Sequence, residues 1–445
     1  MKYKFGIILP IILISCFLIL LDNSVVFTST VQIADSLHMT SQSIAWITNA
    51  YALVFGSLLL LGGRLGDLYG RKPMFLVGLT IFSLFSLLVG LAPNGLFIIV
   101  MRAFQGIGSA ILAPTSLALL LDNYEGKKRE KAISYYGITA GLGASVGLII
   151  GGLVTTFYSW RLGFLINVPL GILLIVLTIF FVPKAKKQLH AHLDYIGSIL
   201  SVLAILSLVN AINGNSHQGI FAAIFVVLLI IFLFREVKID NPIMPMAIFK
   251  DQERVSAYVA RFFYIGSMIS FFFLVPQVLQ KYYGFTPLLS AFGFMPETIP
   301  QFIFSLLQSK LSNKYKNEDL LLFGTVVTLI GIVILFGLDL KHGYLISVAL
   351  PMIIIGIGQG FSFGPLTVSG VVNTSKEFGG ATSSTVNVFS QLGSSIVLSV
   401  VVTLTAGITN VITAYHYQTF LMAILMLVPL LMAINIKRIH RKYIN

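Results

Sequence analysis

Long apolar runs alternate with short polar breaks from one end of the chain to the other. A run of about 17–25 apolar residues is long enough to cross the hydrocarbon core of a bilayer as a helix. Fourteen such runs can be delimited, at 6–31, 43–62, 74–92, 95–121, 132–157, 162–182, 195–213, 218–234, 255–280, 288–308, 320–338, 343–364, 379–406 and 414–436. The pattern predicts an all-α polytopic membrane protein, because only helices and closed barrels satisfy their own backbone in lipid. The segments between the runs leave no room for a large soluble domain. The opening "MKYKFGIILPIILISC" imitates a lipoprotein leader with its "LISC" box, but "FLILL" continues the apolar stretch, so it reads as the first transmembrane helix.

Composition agrees. The 445 residues are 57% hydrophobic and 10% charged, against roughly 25% charged in soluble domains. The formal net charge of +13 does not point to nucleic acid, because the basic residues sit in short loop clusters rather than along one face. With the N-terminus inside, "RLGDLYGRK", "EGKKREK", "KAKK", "KLSNKYK" and the tail "KRIHRK" all fall on the cytoplasmic side. So do about 24 of the 29 Lys and Arg, while Arg161, Lys281 and Lys341 fall outside. That asymmetry is the one the positive-inside rule predicts, and it requires an even number of spans. The expected location is therefore the cell membrane, with both termini cytoplasmic.

The chain repeats itself. Residues 61–78, "LGGRLGDLYGRKPMFLVG", align without gaps to 307–324, "LQSKLSNKYKNEDLLLFG". Both join the second and third spans of a six-helix block. The implied division is a six-helix bundle over 1–182, a linker with two further helices over 183–254, and a second six-helix bundle over 255–445. Parallel halves of this kind place a transported substrate near the midplane.

Two carboxylates lie within the spans: Asp22 in "ILLDNSVVF" and Glu297 in "FGFMPETIP". A charge at that depth is expensive unless it is paired or used. Pro296 and Pro300 flank Glu297 and should bend its helix. Arg102 and Arg261 are the deep cations. Helical spacing puts Arg102, Gln105 and Ser109 on one face. Arg261 either pairs with Glu297 or guards the inner mouth. No metal site is expected: there is one cysteine, Cys16, the seven histidines are scattered, and "HAH" at 190–192 lies in a basic loop. No catalytic Ser/His pair or HExxH-like spacing falls within the spans, so neither an enzyme nor a cofactor is expected.

The motifs reach a family. "GGRLGDLYGRKP" (62–73), "RAFQGIGSA" (102–110), "GITAGLGASVGLIIGG" (137–152), "WRLGFLINVPLG" (160–171), "WITNAYAL" (46–53) and "LDNSVVFTSTVQI" (21–33) resemble the major facilitator superfamily, and within it the fourteen-helix drug:proton antiporter branch. The departures are Leu68 where arginine is usual, Leu148 and Val31 where proline is usual, and Phe27 where asparagine is usual. The resemblance implies the major facilitator fold, with two six-helix bundles and two additional linker helices. It implies conformational gating by Gly63, Asp67, Gly70 and Arg71, and helix packing through Gly141, Gly147, Gly151 and Gly152. It implies Asp22, with Arg102, as proton-coupling and substrate groups; Glu297 is added from its depth alone. Gln105, Ser109 and Arg261 are expected to line the substrate cavity. The function so implied is proton-coupled efflux of lipophilic cationic or zwitterionic drugs by a bacterial monomer. Its partners would be drug-like small molecules, protons and the lipid bilayer. The alternative on the same fold is a proton-coupled exporter or symporter of a specific metabolite.

Overall fold

A computed structural model describes residues 6–183, 194–213, 217–239, 244, 246–374 and 379–444; within these, the side chains at 41, 60, 67, 130, 134, 138, 140–142, 213, 379–381, 383–384 and 441–444 are outside the described set. The helices are, in order, α1 (Ile8–Leu37), α2 (Ser41–Tyr69), α3 (Arg71–Gly90), α4 (Gly95–Asn123), α5 (Gly126–Phe157), α6 (Trp160–Leu165), α7 (Asn167–Phe181), α8 (Tyr195–Asn213) and α9 (Gln218–Lys238). They continue with α10 (Gln252–Lys281), α11 (Pro287–Phe292), α12 (Met295–Leu311), α13 (Asn317–Gly337), α14 (Leu350–Val371), α15 (Gly379–Thr405) and α16 (Val411–Ile444).

A helix or a pair of helices lies along each of the fourteen apolar runs. Among the described residues, eleven spans are long and apolar enough to cross a membrane, α6 and α7 counting as one (Trp160–Phe181); α2, α5, α11 and α12 are not among the eleven. One run that reads as continuous is interrupted and another is only loosened. Ile166, between α6 and α7, keeps helical dihedrals (φ −61°, ψ −25°) and its N–H reaches the Leu162 carbonyl, so Trp160–Phe181 remains one span; Pro169 has no N–H to return to the carbonyl of Leu165. The run at 288–308 splits into α11 and α12 at Gly293–Phe294, just before Pro296.

The chain divides into two compact units, Met1–Leu208 with Gly219–Ile243, and Val209–Gln218 with Met244–Asn445. In the first, α4 packs on α2 and α3, α1 on α5, and α3 on α7. In the second, α14 packs on α12 and α13, and α10 on α15 and α16. Helices associate in lipid by close van der Waals packing, which favours small residues at the contact. A methyl group at Gly147 would sit 2.9 Å from Ser24, and one at Gly151 would sit 2.8 Å from Thr28 Oγ1, so both glycines are required where α5 meets α1. Gly152 is buried on the same helix, and Gly141 is outside the described side chains. By contrast α9 is only 11% buried, with Ile224, Val227, Ile231 and Phe234 exposed; it is the most lipid-accessible of the apolar helices.

The 62–73 stretch is more built than a basic loop. α2 and α3 meet at Gly70 alone, at φ +99°, a conformation an L side chain rarely adopts. Arg71 pairs with Asp122 and donates to the Ala118 carbonyl at 3.0 Å, closing the end of α4. Lys72 donates to the carbonyls of Ile179 and Val182 at 2.9 and 2.6 Å, covering the C-terminal end of α7. Gly63 meets only Pro114, at 3.7 Å; its neighbour Gly62 is the one pressed against α4, where a methyl would lie 2.0 Å from the Ala110 carbonyl. The Asp67 side chain is outside the described set.

Candidate functional site

The first unit carries a buried charge pair. Asp22 lies in the middle of α1, and Arg102 and Gln105 lie one turn apart on α4. All three are fully buried. Arg102 Nη1 donates to Asp22 Oδ2 and, at 2.8 Å, to Gln105 Oε1. Gln105 Nε2 donates to Asp22 Oδ1 at 2.8 Å. Arg102 Nε donates to the Ile47 carbonyl at 3.2 Å. The guanidinium lies 4.2 Å from the Tyr51 ring centroid and 5.8 Å from that of Phe164, an aromatic cage whose faces favour a cation. Tyr51 in turn donates to Ser109 Oγ at 2.6 Å. Desolvating two charges is costly, and here it is offset by geometry: the carboxylate accepts from Arg102, Gln105 and one more amide.

That amide is Asn167, the first residue of α7. Its Nδ2 donates to Asp22 Oδ1 at 3.1 Å and to Ser86 Oγ at 3.0 Å, and Ser86 donates to the Phe164 carbonyl at 2.9 Å. Asn167, Ser86 and Tyr51 did not emerge from the sequence as site residues. Asn167 lies inside the 160–171 motif, and an amide two residues before a proline in an apolar run was the available signal.

The second unit is built differently. Glu297 lies in the first turn of α12, fully buried, and neither carboxyl oxygen has a hydrogen-bond partner among the described residues. One turn on, Gln301 donates to Gln359 Oε1 at 3.1 Å, and Gln359 donates to Met268 Sδ at 3.0 Å. Tyr264 and Thr328 share a hydrogen bond of 2.8 Å. Arg261 does not pair with Glu297; it donates to Ser390 Oγ at 2.6 Å and Thr367 Oγ1 at 2.8 Å.

The internal repeat explains the contrast. A methyl on Gly106 of α4 would meet the Tyr51 carbonyl at 2.6 Å, and one on Gly356 of α14 would meet the Glu297 carbonyl at 2.2 Å. Tyr51 and Glu297 are 246 positions apart, the same spacing that aligns 61–78 with 307–324. Glu297 therefore occupies the place that holds the arginine-facing tyrosine in the first unit. No described cation faces it.

Apolar helices of membrane-spanning length, gathered into two compact units that each bury charged side chains, define a polytopic helical membrane protein. Comparison with known proteins agrees: residues 12–398 match the model of the Major Facilitator Superfamily, and the protein belongs to that superfamily of transporters. It is 30% identical over 391 residues to the uncharacterized MFS-type transporter EfpA of Mycobacterium tuberculosis (strain ATCC 25618 / H37Rv), covering 86% of this chain and 73% of that one. It is 30% identical over 380 residues to Multidrug resistance protein 3 of Bacillus subtilis (strain 168), covering 82% and 72%. The crystal structure of a D-xylose-proton symporter superimposes with a TM-score of 0.71 at 13% identity, over 96% of both proteins; this likeness concerns the fold alone.

Proposed function

We propose that the protein is a proton-coupled multidrug efflux antiporter, exporting lipophilic cationic or zwitterionic compounds by alternating access. The observation that carries the reading is the Asp22–Arg102–Gln105 cluster, a fully buried carboxylate whose counter-ion is internal. A carboxylate held this way can take up a proton on one side of a membrane and release it on the other as its surroundings change. The relative named for multidrug resistance supports drugs as the cargo. Glu297, buried without a cation, is the second acid of the proposal. Arg71 and Lys72 hold helix ends beside the Gly70 turn, which suits a part that must come apart and re-form between states.

The proposal includes fourteen transmembrane helices, two six-helix bundles over 1–182 and 255–445 with a two-helix linker over 183–254, and both termini on the cytoplasmic side of a bacterial cell membrane. The protein acts as a monomer. Efflux of a fluorescent cationic dye from cells expressing it, with and without a protonophore, tests the proposal. Protonophore-sensitive efflux is expected; efflux indifferent to the proton gradient would overturn the coupling.

A further inference from the structure

Two amides hold Asp22, and they differ in one respect. The oxygen of Gln105 accepts from Arg102, so Gln105 must keep its nitrogen turned toward the carboxylate. The oxygen of Asn167 accepts nothing among the described residues, although it is fully buried. A buried polar atom without a partner is costly and calls for an explanation. Asn167 is thus the one amide on Asp22 that is free to reverse.

We propose that Asn167 is a positioning residue that senses whether Asp22 carries a proton and passes that state, through Ser86, to the Phe164 carbonyl at the join of α6 and α7. With Asp22 ionised, both Asn167 N–H groups are used, one on Asp22 Oδ1 and one on Ser86 Oγ, and Ser86 gives its own proton to the Phe164 carbonyl. When a proton adds to Asp22 Oδ1, that atom donates one bond and keeps room to accept one, which the closer Gln105 N–H holds, so the Asn167 N–H is the one displaced. Reversing the amide lets Asn167 Oδ1 accept from the carboxylic acid and from the Ser86 hydroxyl, and turns its N–H groups to the place the oxygen held. Ser86 then leaves the Phe164 carbonyl. The only covalent change is the proton gained by Asp22; every other step is rotation about a single bond. Oδ2 stays on Arg102 throughout. The charged and titratable groups facing Asp22, among the described residues, are Arg102 of α4 and Tyr51 of α2.

The location makes the signal mechanical. Phe164 belongs to the last turn of α6, Asn167 begins α7, and Ile166 is the joint between them. Pro169 leaves the neighbouring Leu165 carbonyl without its helical partner. Release of Ser86 therefore acts one residue from that gap in the helix's own hydrogen bonds.

The inference rests on Asp22 being the coupling acid, and one experiment separates the two claims. Infrared difference spectra are recorded on the purified full-length protein in lipid between alkaline and acid pH, with isotope-labelled asparagine. The carboxylic acid band that Asp22→Asn removes reports protonation of Asp22, and the C=O stretch of the asparagine amide reports its reversal. We expect the amide change in the wild type, its loss in both Asp22→Asn and Asn167→Leu, its retention in Ser86→Thr, and about half its size in Ser86→Ala, which removes one of the two new hydrogen bonds. Should Asn167→Leu fail to fold, Asn167→Ser, which lacks an amide, serves in its place. An Asp22 band that titrates with no asparagine change, or an amide change that survives Asp22→Asn, overturns the relay alone. No Asp22 band at any pH overturns the coupling assignment itself.

Discussion

At the residue scale, Arg102 makes the most varied contacts in the site. Its Nε, Nη1 and ring-facing plane are engaged by Ile47, by Asp22 with Gln105, and by Tyr51, while Nη2 has no partner among the described residues. A lysine carries the same charge but has neither the fork nor the plane. Arg102→Lys should therefore lower turnover by at least about tenfold, since losing one charge-assisted hydrogen bond costs about 1.5–3 kcal/mol. The measurement is the initial rate of dye efflux normalised to protein in the membrane. Arg102→Ala is a different experiment: it strands Asp22, and removing one partner of a buried pair destabilises by about 3–5 kcal/mol. A lower yield of folded protein is expected there, and rescue by adding Asp22→Asn would show that the stranded charge is the cause. Tyr51→Phe keeps the ring on Arg102 and removes the hydroxyl's bonds to Ser109 and Asn23, so its efflux should stay within a few-fold of wild type, whereas Tyr51→Leu should not.

At the element scale, packing and ion pairs make separate predictions. Gly151→Leu places a side chain where α1 lies within van der Waals contact of α5, and the unit should fail to assemble, measured as loss of a monodisperse peak in detergent. The start of α8 is tied to the end of α9 by Asp194, which accepts from Arg235 Nε and Nη2 at 3.0 and 2.8 Å. Burial alone would raise the Asp194 carboxyl, but the hydrogen bonds from Arg235 and the Gly197 backbone outweigh it and hold the carboxyl below its ordinary value. A lowered carboxyl stabilises the fold above its unfolded value and loses that contribution as pH falls through the lowered one. The wild type should thus lose thermal stability below about pH 4, and Asp194→Asn should be less stable at neutral pH and lose less on acidification. The helix breaks are where the sequence was least legible. Hydropathy averages over a run, so in 288–308 it passes over the turn at Gly293–Phe294, while 162–182 is one span in the structure as well. The prolines around Glu297 gave that break away. Lys72 read as a topology signal, and its grip on the end of α7 was invisible because it depends on a tertiary neighbour.

At the scale of the whole molecule, the superfamily, the helical class and the internal repeat were legible in the sequence, because charge in an apolar run and fixed spacing survive without coordinates. The depth of Asp22, Arg102 and Gln105 within their helices was legible for the same reason. The difference between the two acids was not. It follows from Glu297 standing at the repeat position of Tyr51, without a described cation beside it. A second proton site changes the charge moved per cycle: two protons in for one monovalent cation out carries one net charge, worth roughly 2.3 kcal/mol at about 100 mV. Glu297→Gln should therefore make export of a monovalent cation insensitive to membrane potential or abolish it, read in proteoliposomes at fixed pH. The most direct test of the account uses the same vesicles with the potential clamped at zero and only a pH gradient imposed, comparing wild type with Asp22→Asn. The wild type should concentrate ethidium against its gradient, while Asp22→Asn should do no more than equilibrate it. Concentrative transport by Asp22→Asn equal to wild type, or a wild type that ignores the pH gradient, would contradict the account.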